Sequence, residues 1–206
     1  MTLGVGMSLV ALWSSWQQLD LFMRVFRGER VSEAVLAASD TRQGIIGVVE
    51  LVLGIVAAIV FLMWLHRARV ALDRAGVVGL RYSPRWTWLG FVVPLLNLFR
   101  PYQVIAEVSR ASEPRTDASA GTPAVIKTWW AMLLLSGVAG RLFFAVAANP
   151  TTEVQYMIFA WLSVIVDVLG ALSAFLAYLV VREIDRRQEQ LFGTRAATPP
   201  ASAIPA

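Results

Sequence analysis

Four long apolar runs divide this chain, and between the second and third lies a segment neither plainly apolar nor plainly polar. The first run covers about Leu3 to Val25 and is the weakest, because Gln17, Gln18 and Asp20 sit near one end. The second, Gly44 to Leu65, is apolar except for Glu50. The third, Thr128 to Ala148, contains one charge, Arg141, and the fourth, Val154 to Val181, holds Asp167. A helix needs about 20 apolar residues to cross a bilayer core. The pattern therefore predicts an all-α integral membrane four-helix bundle with spans at about 3–25, 44–65, 128–148 and 154–181. Arg24 to Gln43 reads as a polar connector, and Asn149-Pro150-Thr151-Thr152 as a tight turn that makes the last two spans an antiparallel hairpin. Glu113 to Pro123 has linker composition, and residues 193–206 have the small, Pro-rich composition of a disordered tail, leaving 1–192 as the transmembrane domain.

Composition agrees with the pattern. Hydrophobic residues make up 57% of the 206 and charged residues only 16%, outside the range of a water-soluble domain. Cysteine is absent and His66 is the single histidine, which excludes disulfides, thiol chemistry and Cys- or His-rich metal sites. No cofactor is expected. The net charge of +4 does not point to nucleic acid, because the basic residues flank apolar runs, where they orient membrane proteins. The segment between spans two and three carries Arg67, Arg69, Arg74, Arg81, Arg85, Arg100, Arg110 and Arg115. The C-terminal end adds Arg182, Arg186, Arg187 and Arg195, whereas the turn between spans three and four has no basic residue. The positive-inside rule then places both termini and the middle segment in the cytoplasm. The N-terminus lacks the basic region and cleavage site of a signal peptide, so the first run is expected to remain in the mature protein.

The middle segment, 66–112, holds the candidate chemistry. His66 to Ala75 continues span two as an amphipathic helix that Gly76 and Gly79 end. Ser83-Pro84 reads as an N-cap with Pro at the first helical position, opening a helix over Trp86 to Phe99 that lies in the interface or dips into the bilayer. Pro101 starts a short helix with Val104, Ile105, Val108 and Ala111 on one face. In one reading the segment is an interfacial anchor; in the sharper one Arg81, Arg85, Trp86, Asn97, Arg100 and Tyr102 converge on an anionic headgroup or small ligand.

The same residues carry a resemblance. Phe61, Trp64, Leu65, Arg67 and Ala68, then Gly79, Arg81, Ser83, Pro84 and Trp86, then Phe91, Pro94, Asn97, Leu98 and Arg100-Pro101-Tyr102-Gln103 form a spaced motif, followed by Glu107 and Arg110-Ala111-Ser112. It resembles the bacterial membrane family catalogued as domain of unknown function 4328. Trp129-Trp130 and the closing VVREIDRRQE run are similar too, so the likeness covers most of residues 30–190. The family implies a multi-span membrane protein and supplies no activity. It also leads one to expect an Asn about where Ala71 stands.

Charges inside spans are costly, about 2.5–3.5 kcal/mol each on insertion scales, and normally find a partner inside the bundle. Glu50 and Arg141 lie at matching depth and are expected to pair, with Asp167 nearby. Small-xxx-small spacings at Gly54/Ala58, Ser136/Gly140 and Gly170/Ala174 suggest close helix packing. No catalytic constellation is visible, so the leading expectation is a non-enzymatic module contacting membrane lipids, with a protein partner or a second copy of itself as further occupants. The competing class is a small transporter or channel-like subunit using Glu50, Arg141 and Asp167.

Overall fold

Apolar runs fold here into helices that outlast them. The computed structural model describes residues 2–113, 121–147 and 152–197. The helices are α1 Thr2–Phe26, α2 Glu33–Arg74, α3 Trp86–Val92, α4 Arg100–Ala111, α5 Ala124–Ala147 and α6 Glu153–Ala197, with one 3₁₀ turn at Leu96–Leu98. Three of them, α2, α5 and α6, are long and apolar enough to cross a membrane. The protein is thus an all-α, multi-span membrane protein with additional helices. At about 1.5 Å per residue, the 42 residues of α2 and 45 of α6 exceed a bilayer core of about 30 Å.

Several boundaries depart from expectation. The first connector shrinks to 27–32, because Glu33 to Gln43 is already helical. Local polarity does not stop a helix whose backbone bonds are intact; Gly28, at φ +79°, makes the turn instead. The helix expected over Trp86 to Phe99 breaks at Val93, which is extended (φ −79°, ψ 116°). Pro94 is the cause, since its ring disfavours helical geometry in the preceding residue. The N-cap of α3 is Arg85, not the expected Ser83, and it makes no side-chain cap. α6 continues through Gly193 to Ala197, so the first five residues of the expected tail are helical. The rest of that tail, most of the linker, the last residue of the expected third span and the 149–151 part of the expected turn lie outside the described residues. Just after that turn, the Thr152 and Gln155 side chains each accept the other's backbone N–H (3.3 and 3.1 Å), a capping box that starts α6. At Gly54, Gly140 and Gly170 an added Cβ would meet nothing within 4 Å, so these glycines do not serve close helix approach.

The chain forms two units, Met1–Ala58 with Ala131–Phe175, and Ile59–Trp130 with Leu176–Ala206. The second has an ordinary apolar core. Leu65, Leu72, Val104, Ile105, Val108, Ile126, Val180 and Ile184 are fully buried. Trp64 Nε1 donates to Asp185 (2.9 Å) and Gln188 Nε2 to the Ala68 carbonyl (2.9 Å), tying α2 to α6. Phe61 packs its ring on Trp64, Phe91 and Trp129 at centroid distances of 5.4, 6.4 and 5.5 Å.

The first unit is inverted, with apolar residues outside and polar ones within. Ile45, Val48, Leu51, Val52 and Ile55 of α2 are exposed, while Ser39, Arg42, Gln43, Ile46 and Glu50 form its inward stripe. α1 buries Ser14, Ser15 and Gln18 beside Leu19, and α6 buries Ala160 and Ser163. α1 runs antiparallel to α6, because Ser15 meets Asp167 and Phe22 meets Tyr156. Apolar exteriors of this kind suit hydrocarbon as solvent.

Candidate functional site

The expected ligand residues all lie in the second unit, on a loop and two short helices held against α2. After α2 the chain turns through Gly76 and Gly79, both at positive φ, and enters the loop that carries Arg81 and Tyr82. That loop is pinned by residues of α2 and α4. Arg69 on α2, only 3% exposed, donates its Nε to the Tyr82 carbonyl (2.9 Å) and its Nη1 to Asp73 (2.6 Å). Glu107 on α4 accepts the backbone N–H groups of Arg81 (2.6 Å) and Tyr82 (3.0 Å), one on each oxygen. The Tyr82 hydroxyl donates to Gln103 Oε1 (2.9 Å).

Arg100 closes the arrangement. Its guanidinium lies 5.3 Å from the Tyr82 ring centroid and 5.1 Å from that of Trp86, a double cation–π contact. Its Nη1 donates to the Tyr82 hydroxyl (3.1 Å) and Gln103 (3.2 Å), while its Nε is buried with no hydrogen-bond partner. Arg81 covers the same Tyr82 ring at 5.6 Å. The structure therefore brings Arg81, Trp86 and Arg100 together around Tyr82. It does not bring in the others: Arg85 and Asn97 are exposed, Tyr102 is half-buried, and none is seen bonded to the trio. Among the described residues no carboxylate pairs with the guanidinium of Arg81, Arg85 or Arg100.

α3 then descends beside α2. Thr87 Oγ1 lies 3.1 Å from His66 Nδ1, and further along Phe91 packs on Phe61, so α3 runs antiparallel to α2 toward its apolar part. The chain reverses after Pro94 and returns through the 3₁₀ turn to Arg100. Gly90 permits this close return, since a Cβ there would lie 3.3 Å from the Arg100 Cβ. The resulting tip is apolar and uncovered: Val92 is 71% and Leu95 77% exposed, with Leu98 and Phe99 also open.

Below α4, Arg187 on α6 bridges Glu183 (2.7 Å) and Glu113 and reaches the Ser109 carbonyl. Glu183 lies beyond the apolar run of α6. Partial burial pushes its carboxyl up, but hydrogen bonds from Arg187 and Arg186 outweigh this and hold it below its ordinary value.

The first unit places the intramembrane charges. Ser15 donates to Asp167 Oδ2 (2.6 Å), and Glu50 is half-buried on the inward stripe of α2. Arg42 donates to Ser14 (3.2 Å) and Ser39 (3.4 Å). Arg141 is exposed, and no ion pair joins it to Glu50 or Asp167 among the described residues, so the expected Glu50–Arg141 pair does not form. Matching depth along two helices says nothing of rotation: Arg141 shares an outward surface of α5 with Leu142, while Glu50 is on the inward stripe of α2.

With this geometry in view, one comparison is decisive. The family model described as domain of unknown function (DUF4328) matches residues 27–186. The chain belongs to the DUF4328 family. No curated protein and no solved structure matches it. The DUF4328 match includes the whole Tyr82-centred cluster, the α3 tip and the inward stripe of α2, and leaves out the α1 residues Ser14, Ser15 and Gln18. Sequence reading missed Tyr82, and it noted Glu107 and Gln103 without giving them a part in the site. The available signal was their i, i+4 spacing on α4, which sets both on one face.

Proposed function

We propose that this DUF4328 protein is a non-enzymatic module of a bacterial inner membrane that engages anionic lipid headgroups through the Arg-rich loop and the α3 tip. In this reading α1 is a fourth span, the helices form a four-helix bundle, and both termini and the 75–123 segment face the cytoplasm. The observation that carries the reading is a juxtaposition. The uncovered apolar tip from Leu89 to Phe99 descends along α2 toward its apolar part, with guanidinium groups lacking carboxylate partners at its base. Apolar residues that sink below the headgroups, with arginines left at phosphate level, describe an interfacial anchor. Anionic lipid adds roughly 1 kcal/mol for each basic side chain near the surface.

Arg81 and Arg85 have exposed side chains, so their removal should leave the fold intact, whereas Arg100 is built into it. Native mass spectrometry of protein extracted with its own lipids supplies the test. Wild type should carry a stoichiometric anionic lipid that an Arg81→Ala, Arg85→Ala double variant loses. A random lipid distribution on the wild type would rule the reading out. A second protein carried along instead would make the occupant of this surface a protein partner.

A further inference from the structure

We propose that two copies of this chain associate inside the membrane, the Arg141 of each meeting the Asp20 of the other. Both residues belong to the first unit and both face out of it, Asp20 on α1 and Arg141 on α5. The proposal takes α1 as a fourth span, as in the reading above, and does not depend on lipid binding by the second unit. Asp20 lies six residues before the end of α1 at Phe26, and Arg141 six before the end of α5 at Ala147, about 9 Å in each case. Among the described residues no ion pair reaches Arg141. Asp20 has Arg24 one turn further along α1, but that guanidinium is bonded to Glu29 at 2.8 Å. Ionised side chains within spans normally face the protein interior and pair there. These two face outward.

Contacts with α6 set the two charges at one level. Phe22 on α1 meets the Tyr156 ring at 5.9 Å between centroids, and Phe143 on α5 stacks on Phe159 at 4.9 Å, one helical turn along. Asp20 lies two residues inward of Phe22, toward the Ser15–Asp167 hydrogen bond, and Arg141 two residues inward of Phe143. Their levels therefore differ by at most one turn, about 5 Å, which an arginine side chain spans. Two copies inserted in the same orientation are related by rotation about the membrane normal, so groups that meet between them lie at matching depth. A closed two-fold pair makes the contact twice, once in each direction.

The faces around the charges point the same way. Trp13 and Trp16, 57% and 62% exposed, share the outward face of α1 with Asp20, while Leu135, Val138 and Leu142 flank Arg141 on α5. Tryptophan in a span favours the headgroup level. Thirteen and ten residues before Phe26, these two lie roughly 15–20 Å from that end of α1, too deep for headgroups. Lipid tails give the charges no partner, whereas a second copy covers the tryptophans and supplies each charge with its opposite.

Energy transfer between donor- and acceptor-labelled full chains in liposomes tests this. The chain has no cysteine of its own, and Gly193 is exposed, so a Gly193→Cys substitution carries the labels. Asp20→Arg and Arg141→Asp should each weaken self-association by at least about tenfold, since like charges then face each other across the interface. Mixing the two variants should restore it, because every contact in the mixed pair again joins opposite charges. A contact within one chain would not be rescued by mixing. Arg141→Leu makes the outward face of α5 wholly apolar, so it should keep the fold and still lose the transfer. Wild-type transfer no higher than random collision, transfer unchanged in Arg141→Leu, or folded reversal variants that stay apart when mixed would each overturn the proposal. So would wild-type chains that stay single and hold a phospholipid that Arg141→Leu sheds, which would give Arg141 a lipid phosphate as its partner.

Discussion

At the scale of single residues, Tyr82 is held through every polar group it has, and two of its four hydrogen bonds run through the backbone. Glu107 accepts from the N–H groups of residues 81 and 82, so its carboxylate fixes the loop whatever side chains stand there. Hydrogen bonds to a charged group contribute about 1.5–3 kcal/mol each. We expect Glu107→Ala to lower the stability of the second unit by about 2–4 kcal/mol, and Glu107→Gln, which keeps one acceptor, by less. Thermal unfolding followed by tryptophan fluorescence reads both, since Trp86 lies against Arg100 in the same cluster. This is also why the site was only half legible in the sequence. Arg81, Trp86 and Arg100 stood out as chemistry in an odd place, but a carboxylate bonded to backbone amides leaves no pattern beyond its own presence. A second residue-scale prediction concerns acid. Glu183 is held below its ordinary value by Arg187 and Arg186. A depressed carboxylate adds stability that is present above its unfolded pKa, about 4.3, and is lost as pH falls through the lower folded value. The second unit should therefore keep its melting temperature from neutrality down to about pH 5 and lose it below. Glu183→Gln should flatten that acid limb; an unchanged limb would show that other carboxylates set it.

At the scale of elements, hydrophobic periodicity located the apolar helices and misplaced their ends. A run of apolar residues reports where lipid or core can be met, not where backbone hydrogen bonding stops. α2 and α6 therefore extend past their apolar runs, carried by intact i to i−4 bonding, while α3 stops inside its run because Pro94 breaks the ladder. Burial then separates the two stretches of α2. Leu72 is fully buried in the second unit, whereas Leu51 is 64% exposed in the first. Leu72→Ala should cost about 2–5 kcal/mol, as core truncations do. Leu51→Ala exchanges one lipid contact for another and should lie within about 0.5 kcal/mol of wild type. Equal losses in a thermal shift assay in lipid nanodiscs would mean that Leu51 is covered by protein, and the inverted reading of the first unit would fail.

At the scale of the whole molecule, the open question is whether α1 crosses the membrane with α2, α5 and α6. Gln17, Gln18 and Asp20 make its run the least apolar, yet the structure sorts these groups: Gln18 is buried and Asp20 exposed near the end of the helix. Ser14 and Ser15 are bonded to Arg42 and Asp167, so the mid-helix polarity of α1 is satisfied within the unit. That removes much of the penalty that composition alone assigns to inserting this helix. The shortened connector helps as well. Arg24 and Arg42 belong to helices, which leaves Arg27 and Arg30 in the loop itself, against Arg81, Arg85, Arg100, Arg110 and Arg115 between α2 and α5. In the topology proposed above, the positive-inside rule makes the longer segment cytoplasmic. Four crossings then put Thr2 and Gly193 on the cytoplasmic side and Ser32 on the other. The chain has no cysteine, so single substitutions Thr2→Cys, Ser32→Cys and Gly193→Cys can each be labelled without background. A membrane-impermeant maleimide added outside intact cells should modify position 32 alone. Labelling at position 2 with position 193 protected would mean three crossings, with α1 lying outside the bilayer. The Ser15–Asp167 contact argues against that outcome, because a helix that meets the middle of the apolar run of α6 has to enter the same hydrocarbon.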